Sequence, residues 1–131
     1  MNRFIFYCLN PLKIKHSKSF LDLEFNHQIY ELIEFSSSND FNEYPKKGDF
    51  SFVVLLDKQN NHIIPVESWI SSKTSQDILK IDNFVEGLID IDNDGEYELM
   101  INSSYYEGSS SFLYKIINGK AIKKRSCGCG V

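Results

Sequence analysis

Residues 84–101 have the sequence FVEGLIDIDNDGEYELMI. Two apolar stretches, residues 84–89 and 97–101, flank a polar loop, which is typical of two strands joined as a hairpin. Asp94-Gly95 is a frequent hairpin turn, because glycine adopts positive φ angles without steric cost. The sequence therefore predicts a β-hairpin, and the hairpin becomes the unit from which the rest of the fold is built.

The loop of this hairpin carries acidic residues at alternate positions. Three aspartates occupy its positions one, three and five, a glycine follows at position six, and a glutamate stands at position nine. Ca²⁺ takes six to eight oxygen ligands from carboxylates and backbone carbonyls. A bound cation also relieves repulsion of roughly 1 kcal/mol per close pair of like charges in water. We therefore expect a calcium site, with an empty acidic turn as the alternative. The predicted ligands are the side chains of Asp90, Asp92, Asp94 and Glu98 and the backbone carbonyl of Glu96.

The flanks of the loop exclude an EF-hand. An EF-hand needs a bidentate glutamate at position twelve and a helix on either side. Position twelve is Ile101, and both flanks have the composition of strands. The predicted site therefore lies in a hairpin loop. It lacks the pair of helices whose angle changes when a sensor EF-hand binds calcium.

The pattern of the loop resembles the calcium loop of FG-GAP/VCBS-type repeats, which is D-x-D-x-D-G-x-x-D followed by an aliphatic residue. Here Glu98 stands where that family has aspartate, and Leu99 is the aliphatic residue. Residues 104–109 (SYYEGS) and 127–130 (CGCG) are similar to uncharacterised small bacterial proteins with one such loop. Since such repeats form propellers only in arrays, one loop implies a stand-alone sandwich or barrel.

The remaining sequence predicts a single all-β domain over residues 1–131, an antiparallel sandwich or open barrel built from hairpins. The chain is rich in Phe, Tyr and Ile and has one alanine, which favours strands. Residues 28–35 also fit a short helix. Pro65 indicates an edge or a bulge, and Asn118-Gly119 a type I′ turn. The expected strands are residues 3–9, 20–25, 29–35, 50–56, 62–69, 77–81, 84–89, 97–101, 112–117 and 120–125.

Charge and hydropathy exclude two classes of partner. Lys and Arg number 14 against 18 Asp and Glu, a formal net charge of −4. The one basic cluster, residues 120–125, is typical of a solvated edge strand, so nucleic acid is not expected. No apolar run approaches the roughly twenty residues of a membrane span. Residues 4–9 are too short for a signal peptide, so the expected location is cytoplasmic, or extracytoplasmic if the N-terminus is truncated.

No catalytic motif is recognisable in the sequence. We therefore expect a non-enzymatic, calcium-stabilised interaction module. One alternative is an inhibitor or immunity protein that binds a protein partner, and a second is a metal-dependent hydrolase. The chain has three cysteines, Cys8, Cys127 and Cys129. With this odd number, either all three are free thiols or two of them form a disulfide, and the sequence does not decide between these alternatives. The sequence does not decide the oligomeric state.

Overall fold

The computed structural model describes residues 16–19, 22–37, 44–72, 81–105 and 107–130. All regular structure in these ranges is strand, which confirms the all-β prediction. The expected strand at residues 3–9, residues 77–80 of the one at 77–81, the start of the one at 20–25 and Cys8 lie outside the described residues. No helix within them is long and apolar enough to cross a membrane. The strands are β1 (His16–Ser19), β2 (Leu23–Phe25), β3 (Gln28–Ser36), β4 (Phe50–Asp57), β5 (His62–Ile70), β6 (Asp82–Ile89), β7 (Glu98–Tyr105), β8 (Gly108–Ile117) and β9 (Lys120–Gly130).

The strands form two antiparallel sheets that pack as a sandwich. The first sheet has the order β1-β3-β4-β5. β2 pairs with the same edge of β3 as β1 does, because Tyr30 of β3 pairs with Leu23 of β2 on one side and with Asp57 of β4 on the other. The second sheet has the order β6-β7-β8-β9, so each strand pairs with its neighbour in sequence. Of the two predicted architectures, the sandwich is observed and the open barrel is not.

The core between the sheets is built from strand residues that alternate along the chain. Val53 and Leu55 of β4 meet Leu99 and Ile101 of β7, and all four are completely buried. Successive side chains of a strand point to opposite faces, so Val53 and Leu55 face the second sheet, and Leu99 and Ile101 face the first. The same cluster contains Phe25, Tyr30, Leu32, Ile64, Val66 and Tyr114.

The opposite face of β4 is also buried. Phe50, Phe52 and Val54 form a second apolar cluster with Phe35 of β3. The ring centroids of Phe35 and Phe52 are 5.2 Å apart in a stacked arrangement. A strand buried on both faces needs a continuous apolar run, which explains the sequence FSFVVLL. In its sheet, β4 lies between β3 and β5.

Pro65 coincides with a bulge in an edge strand, so both features that it indicated are present. β4 pairs Val54 with Pro65 and Val53 with Glu67, which leaves Val66 as an extra residue in β5. Among the described strands, β5 has no further neighbour in the first sheet. Proline has no N–H to contribute to a ladder, and a bulge at an edge tolerates that loss.

Polar contacts tie the two sheets together at both sides. At β6, the backbone N–H of Asn83 donates to Ser51 Oγ (2.8 Å), and that of Val85 donates to Glu34 Oε1. At the other side, the hydroxyl of Tyr114 donates to Glu67. Side chains of the first sheet thus satisfy backbone donors of β6 that a neighbouring strand would otherwise bind.

Four connections lie at one end of the sandwich, which we name the turn end. They join β2 to β3, β4 to β5, β6 to β7 and β8 to β9. In the β8–β9 turn, Asn118 and Gly119 have φ angles of 51° and 71°, as the type I′ prediction requires. The side-chain amide of Asn26 bonds both the N–H (2.8 Å) and the C=O (3.1 Å) of Tyr97, so the β2–β3 turn holds the end of the acidic loop.

Replacing Leu55 by alanine tests the packing between the sheets. Leu55→Ala leaves a cavity in a completely buried site, so the free energy of unfolding should fall by about 2–5 kcal/mol, measured by guanidinium chloride denaturation. The matched control is Ile70→Ala, because Ile70 is 56% exposed, and its effect should be about 0.5 kcal/mol or less. Equal losses for the two variants would contradict the described core.

Candidate metal centre

The acidic loop, residues 90–97, joins β6 to β7 at the turn end. The last residue pair of the ladder is Ile89 with Glu98, so the loop starts and ends on neighbouring strands. Asn93 and Gly95 have φ angles of 57° and 86°, which are left-handed conformations that asparagine and glycine tolerate best. The two flanking strands and these two residues force residues 90–97 into a tight curl.

The carboxylate of Asp90 organises the curl from inside. Its two oxygens accept hydrogen bonds from the backbone N–H groups of Asp94 (3.0 Å) and Gly95 (2.9 Å). On the opposite side, the N–H of Ile91 donates to Glu98 Oε2 at 3.2 Å. Two of the predicted ligands are therefore held in place by the backbone of the loop itself.

Three of the predicted ligands converge. Asp90, Asp92 and Glu98 each offer a carboxylate oxygen, and these oxygens lie within 4.8 Å of one another. Ca²⁺–oxygen distances of 2.3–2.6 Å place opposite ligands about 4.6–5.2 Å apart, so one ion fits this spacing. Glu98 is only 3% exposed and Asp92 is exposed, so the group is anchored on β7 and open to solvent at the loop.

The side chain of Asp94 contacts Lys115 and is not part of the converging group. Asp94 Oδ2 lies 3.0 Å from Nζ of Lys115, and Asp94 Oδ1 accepts a hydrogen bond from the N–H of Glu96. Asp94 is outside the converging group, and its role as a metal ligand stays a prediction. The same holds for the backbone carbonyl of Glu96, whose own side chain also pairs with Lys115.

Lys115 supplies a cation to the acidic loop. Its Nζ lies 2.9 Å from Glu96 Oε2, 3.0 Å from Asp94 Oδ2 and 3.8 Å from Glu98 Oε1. The pairing of Leu99 with Tyr114 in the β7–β8 ladder sets Lys115 across from Glu98. The lysine side chain is 16% exposed, so its ammonium is enclosed by these carboxylates. The ammonium therefore neutralises part of the negative charge of the loop.

The ionisation of these groups follows from their contacts. Hydrogen bonds to Glu96 and then to Asp94 raise the pKa of Lys115 well above its usual range. The N–H of Glu96, followed by the Lys115 ammonium, lowers the pKa of Asp94. Both groups are therefore charged at neutral pH, and their ion pair is a stable part of the loop.

Sequence reasoning did not identify Lys115. The residue lies in an ordinary strand sequence, FLYKII, and is 17 residues from Glu98 along the chain. Only the register of the β7–β8 ladder brings them together, and no spacing within one segment signals it.

Two further cations, Lys124 and Arg125, line a cavity of about 250 Å³ together with Asp92 and Glu98. A metal at this group would therefore bind against nearby positive charge.

The cysteines do not extend this site. Cys127 is an exposed free thiol on β9; it lines a groove on the outer face of the second sheet and does not belong to the converging carboxylate group. The choice between free thiols and a disulfide for the other two cysteines stays open.

Comparison with known proteins identifies no relative of this chain. No protein-family model matches it, and the searches of curated proteins and of solved structures give no significant match. The resemblance of the loop to FG-GAP/VCBS-type repeats therefore stays a prediction that rests on residues 90–99.

Replacing Lys115 by methionine tests its role as the internal cation. Lys115→Met keeps the aliphatic stem but leaves the carboxylates of Asp94, Glu96 and Glu98 without their ammonium. We expect a lower melting temperature in EDTA at low ionic strength, and a smaller difference in high salt, because salt screens the repulsion. Calorimetry of the variant and the wild-type protein measures both.

The control for this variant is Lys120→Met, because Lys120 is an exposed lysine at the start of β9. Its melting temperature should match that of the wild type. If Lys115→Met behaved like this control, the loop would not depend on the internal cation.

Proposed function

We propose that this chain is a non-enzymatic β-sandwich module that Ca²⁺ stabilises at the β6–β7 loop. The observation that carries the proposal is the convergence of Asp90, Asp92 and Glu98, whose oxygens lie within one ion's reach of each other. Hard oxygen ligands of this kind suit Ca²⁺ better than transition metals. Further ligands would come from backbone carbonyls and water.

The role of the metal follows from the position of the loop. A cation that binds Glu98 on β7 and Asp90 at the end of β6 would join the two strands where their ladder ends. Since the unfolded chain has no such site, the ion would stabilise the folded state by mass action. The Lys115 ammonium already neutralises part of the loop, and calcium would add to the stability of the folded state.

The affinity should be modest. Three carboxylates favour the ion, whereas Lys115, Lys124 and Arg125 around the same cavity oppose it. Dissociation constants of roughly 10⁻⁴–10⁻³ M are typical of calcium sites in extracellular modules. A site of this affinity would fill at extracellular calcium concentrations and would serve structure rather than signalling.

Melting in calcium and in EDTA tests the site directly. At a calcium concentration about 100 times the dissociation constant, the gain in stability is roughly 2.7 kcal/mol, so the melting temperature should rise by several degrees. Asp92→Asn should abolish the rise, because it removes a charged ligand from the group. The measurement is differential scanning fluorimetry over a calcium titration.

The matched control is Asp22→Asn. Asp22 is an exposed aspartate just before β2, and its partner is Lys58 of the β4–β5 turn at 2.7 Å. This variant should keep the full calcium-dependent rise even if its baseline shifts. A wild-type melting temperature that is the same in calcium and in EDTA would rule the metal site out.

A second candidate function is the binding of a protein partner, as by an inhibitor or immunity protein. The supporting observation is an apolar groove of about 260 Å³ on the outer face of the second sheet. Ile89 and Ile91 at this groove are 38% and 44% exposed, and Met100 and Leu113 also line it. Contiguous exposed apolar surface marks interaction sites on soluble domains.

Co-purification of the tagged chain from its native source tests the second candidate. A partner should be retained in stoichiometric amount by the wild type and lost from Ile89→Asp, because the new charge lies in the groove. Ile70→Asp is the control, since Ile70 is exposed on the first sheet. Absence of a stoichiometric partner from the wild type, or equal retention by both variants, would contradict this function.

A further inference from the structure

The turn end encloses a cleft of about 490 Å³ that is separate from the converging carboxylates. All four turn-end connections contribute to it, so its walls come from both sheets. The volume lies within the range of about 300–1,000 Å³ typical of small-molecule sites. The lining residues are Asn26, Gln28, Tyr30, Asp57, Asn60, His62, Glu96, Ile116, Asn118 and Gly119.

The walls of this turn-end cleft are fixed before any ligand arrives. Asn26 bonds the backbone of Tyr97 through two hydrogen bonds, and a ring nitrogen of His62 lies 3.2 Å from the carbonyl of Gly119. A carbonyl can only accept, so His62 Nε2 carries the proton, and in the neutral ring Nδ1 is an acceptor. A preformed site loses little conformational freedom on binding.

The two carboxylates of the cleft are already bound within the protein. Asp57 accepts hydrogen bonds from the N–H groups of Gln59 (3.0 Å) and Asn60 (3.1 Å) and from the Asn60 side chain (2.8 Å). Burial opposes ionisation of Asp57, but these donors outweigh it and lower its pKa. Glu96 is paired with Lys115. A cationic ligand would thus gain little from either carboxylate.

Anionic ligands are disfavoured as well, because no lysine or arginine is among the described residues that line the cleft. The neutral hydrogen-bonding groups remain: the amides of Gln28 and Asn118, the Tyr30 hydroxyl and the imidazole of His62. Over the described part of the chain, the side-chain amide of Asn118 has no hydrogen bond within the protein. The hydroxyl of Tyr30 donates to Gln28 only at 3.4 Å, which is a long bond.

We propose that the turn-end cleft binds a neutral, hydroxyl-rich small molecule of the size of a mono- or disaccharide. Each hydroxyl group donates one hydrogen bond and accepts others, which matches a wall of alternating amide, hydroxyl and imidazole groups. Ile116 offers aliphatic surface in the lining, on which the C–H face of a sugar ring can rest.

An NMR titration of the full chain tests the proposal. The probes are glucose, galactose, N-acetylglucosamine and maltose at concentrations up to tens of millimolar, each in EDTA and in calcium. We expect at least one sugar to shift the backbone amide signals of Asn60, Asn118 and Gly119 in both buffers. The calcium site is tested by melting alone, so the two proposals fail independently.

Two matched glycine variants link any binding to the cleft. Asn118 and Asn61 both have positive φ angles, 51° and 50°, which glycine also adopts, so neither substitution strains its turn. Only Asn118 lines the cleft. Asn118→Gly should weaken sugar binding about three- to tenfold, as expected for one lost hydrogen bond, and Asn61→Gly should leave the affinity unchanged.

Three outcomes would overturn the proposal. The first is the absence of shifts with every neutral sugar. The second is equal affinity in the two glycine variants. The third is binding of glucosamine, a cationic sugar, without binding of glucose, which would show that Asp57 or Glu96 recognises a positive charge.

Discussion

Burial of β4 on both faces is the constraint on which the sandwich depends. Val53 and Leu55 pack against Leu99 and Ile101 of the second sheet, while Phe50 and Phe52 pack on the other side. The two layers are held at a fixed separation by these side chains. The four connections of the turn end therefore lie close together. The acidic loop is one of these connections, and the turn-end cleft lies between them.

The carboxylates of the acidic loop have two kinds of partner. Lys115 pairs with Asp94, Glu96 and Glu98, and oxygens of Asp90 and Asp92 converge with one of Glu98. Glu98 is common to both arrangements and is buried. The loop thus combines an internal ammonium with a group of oxygens whose spacing suits a divalent ion.

Much of the fold could be predicted because strand patterns are local. The turn at Asn118-Gly119, the apolar run of β4 and the bulge near Pro65 each follow from short stretches of sequence, and the structure has all three. The alternate spacing of Asp90 and Asp92 predicted their convergence, but it also predicted that Asp94 would join them, and Asp94 pairs with Lys115 instead. Strand pairing over longer distances could not be predicted, since no local pattern encodes register.

The sequence by itself determined the all-β class, the β6–β7 hairpin and the acidic residues of its loop. The tertiary structure alone decided that the sheets form a sandwich, that Lys115 lies across from Glu98 and that Asp94 pairs with this lysine. It also decided that Gln28, Asp57, His62 and Asn118 share one cleft. The physical reason is that contacts between strands depend on register and on the packing of two sheets, which are properties of the whole chain.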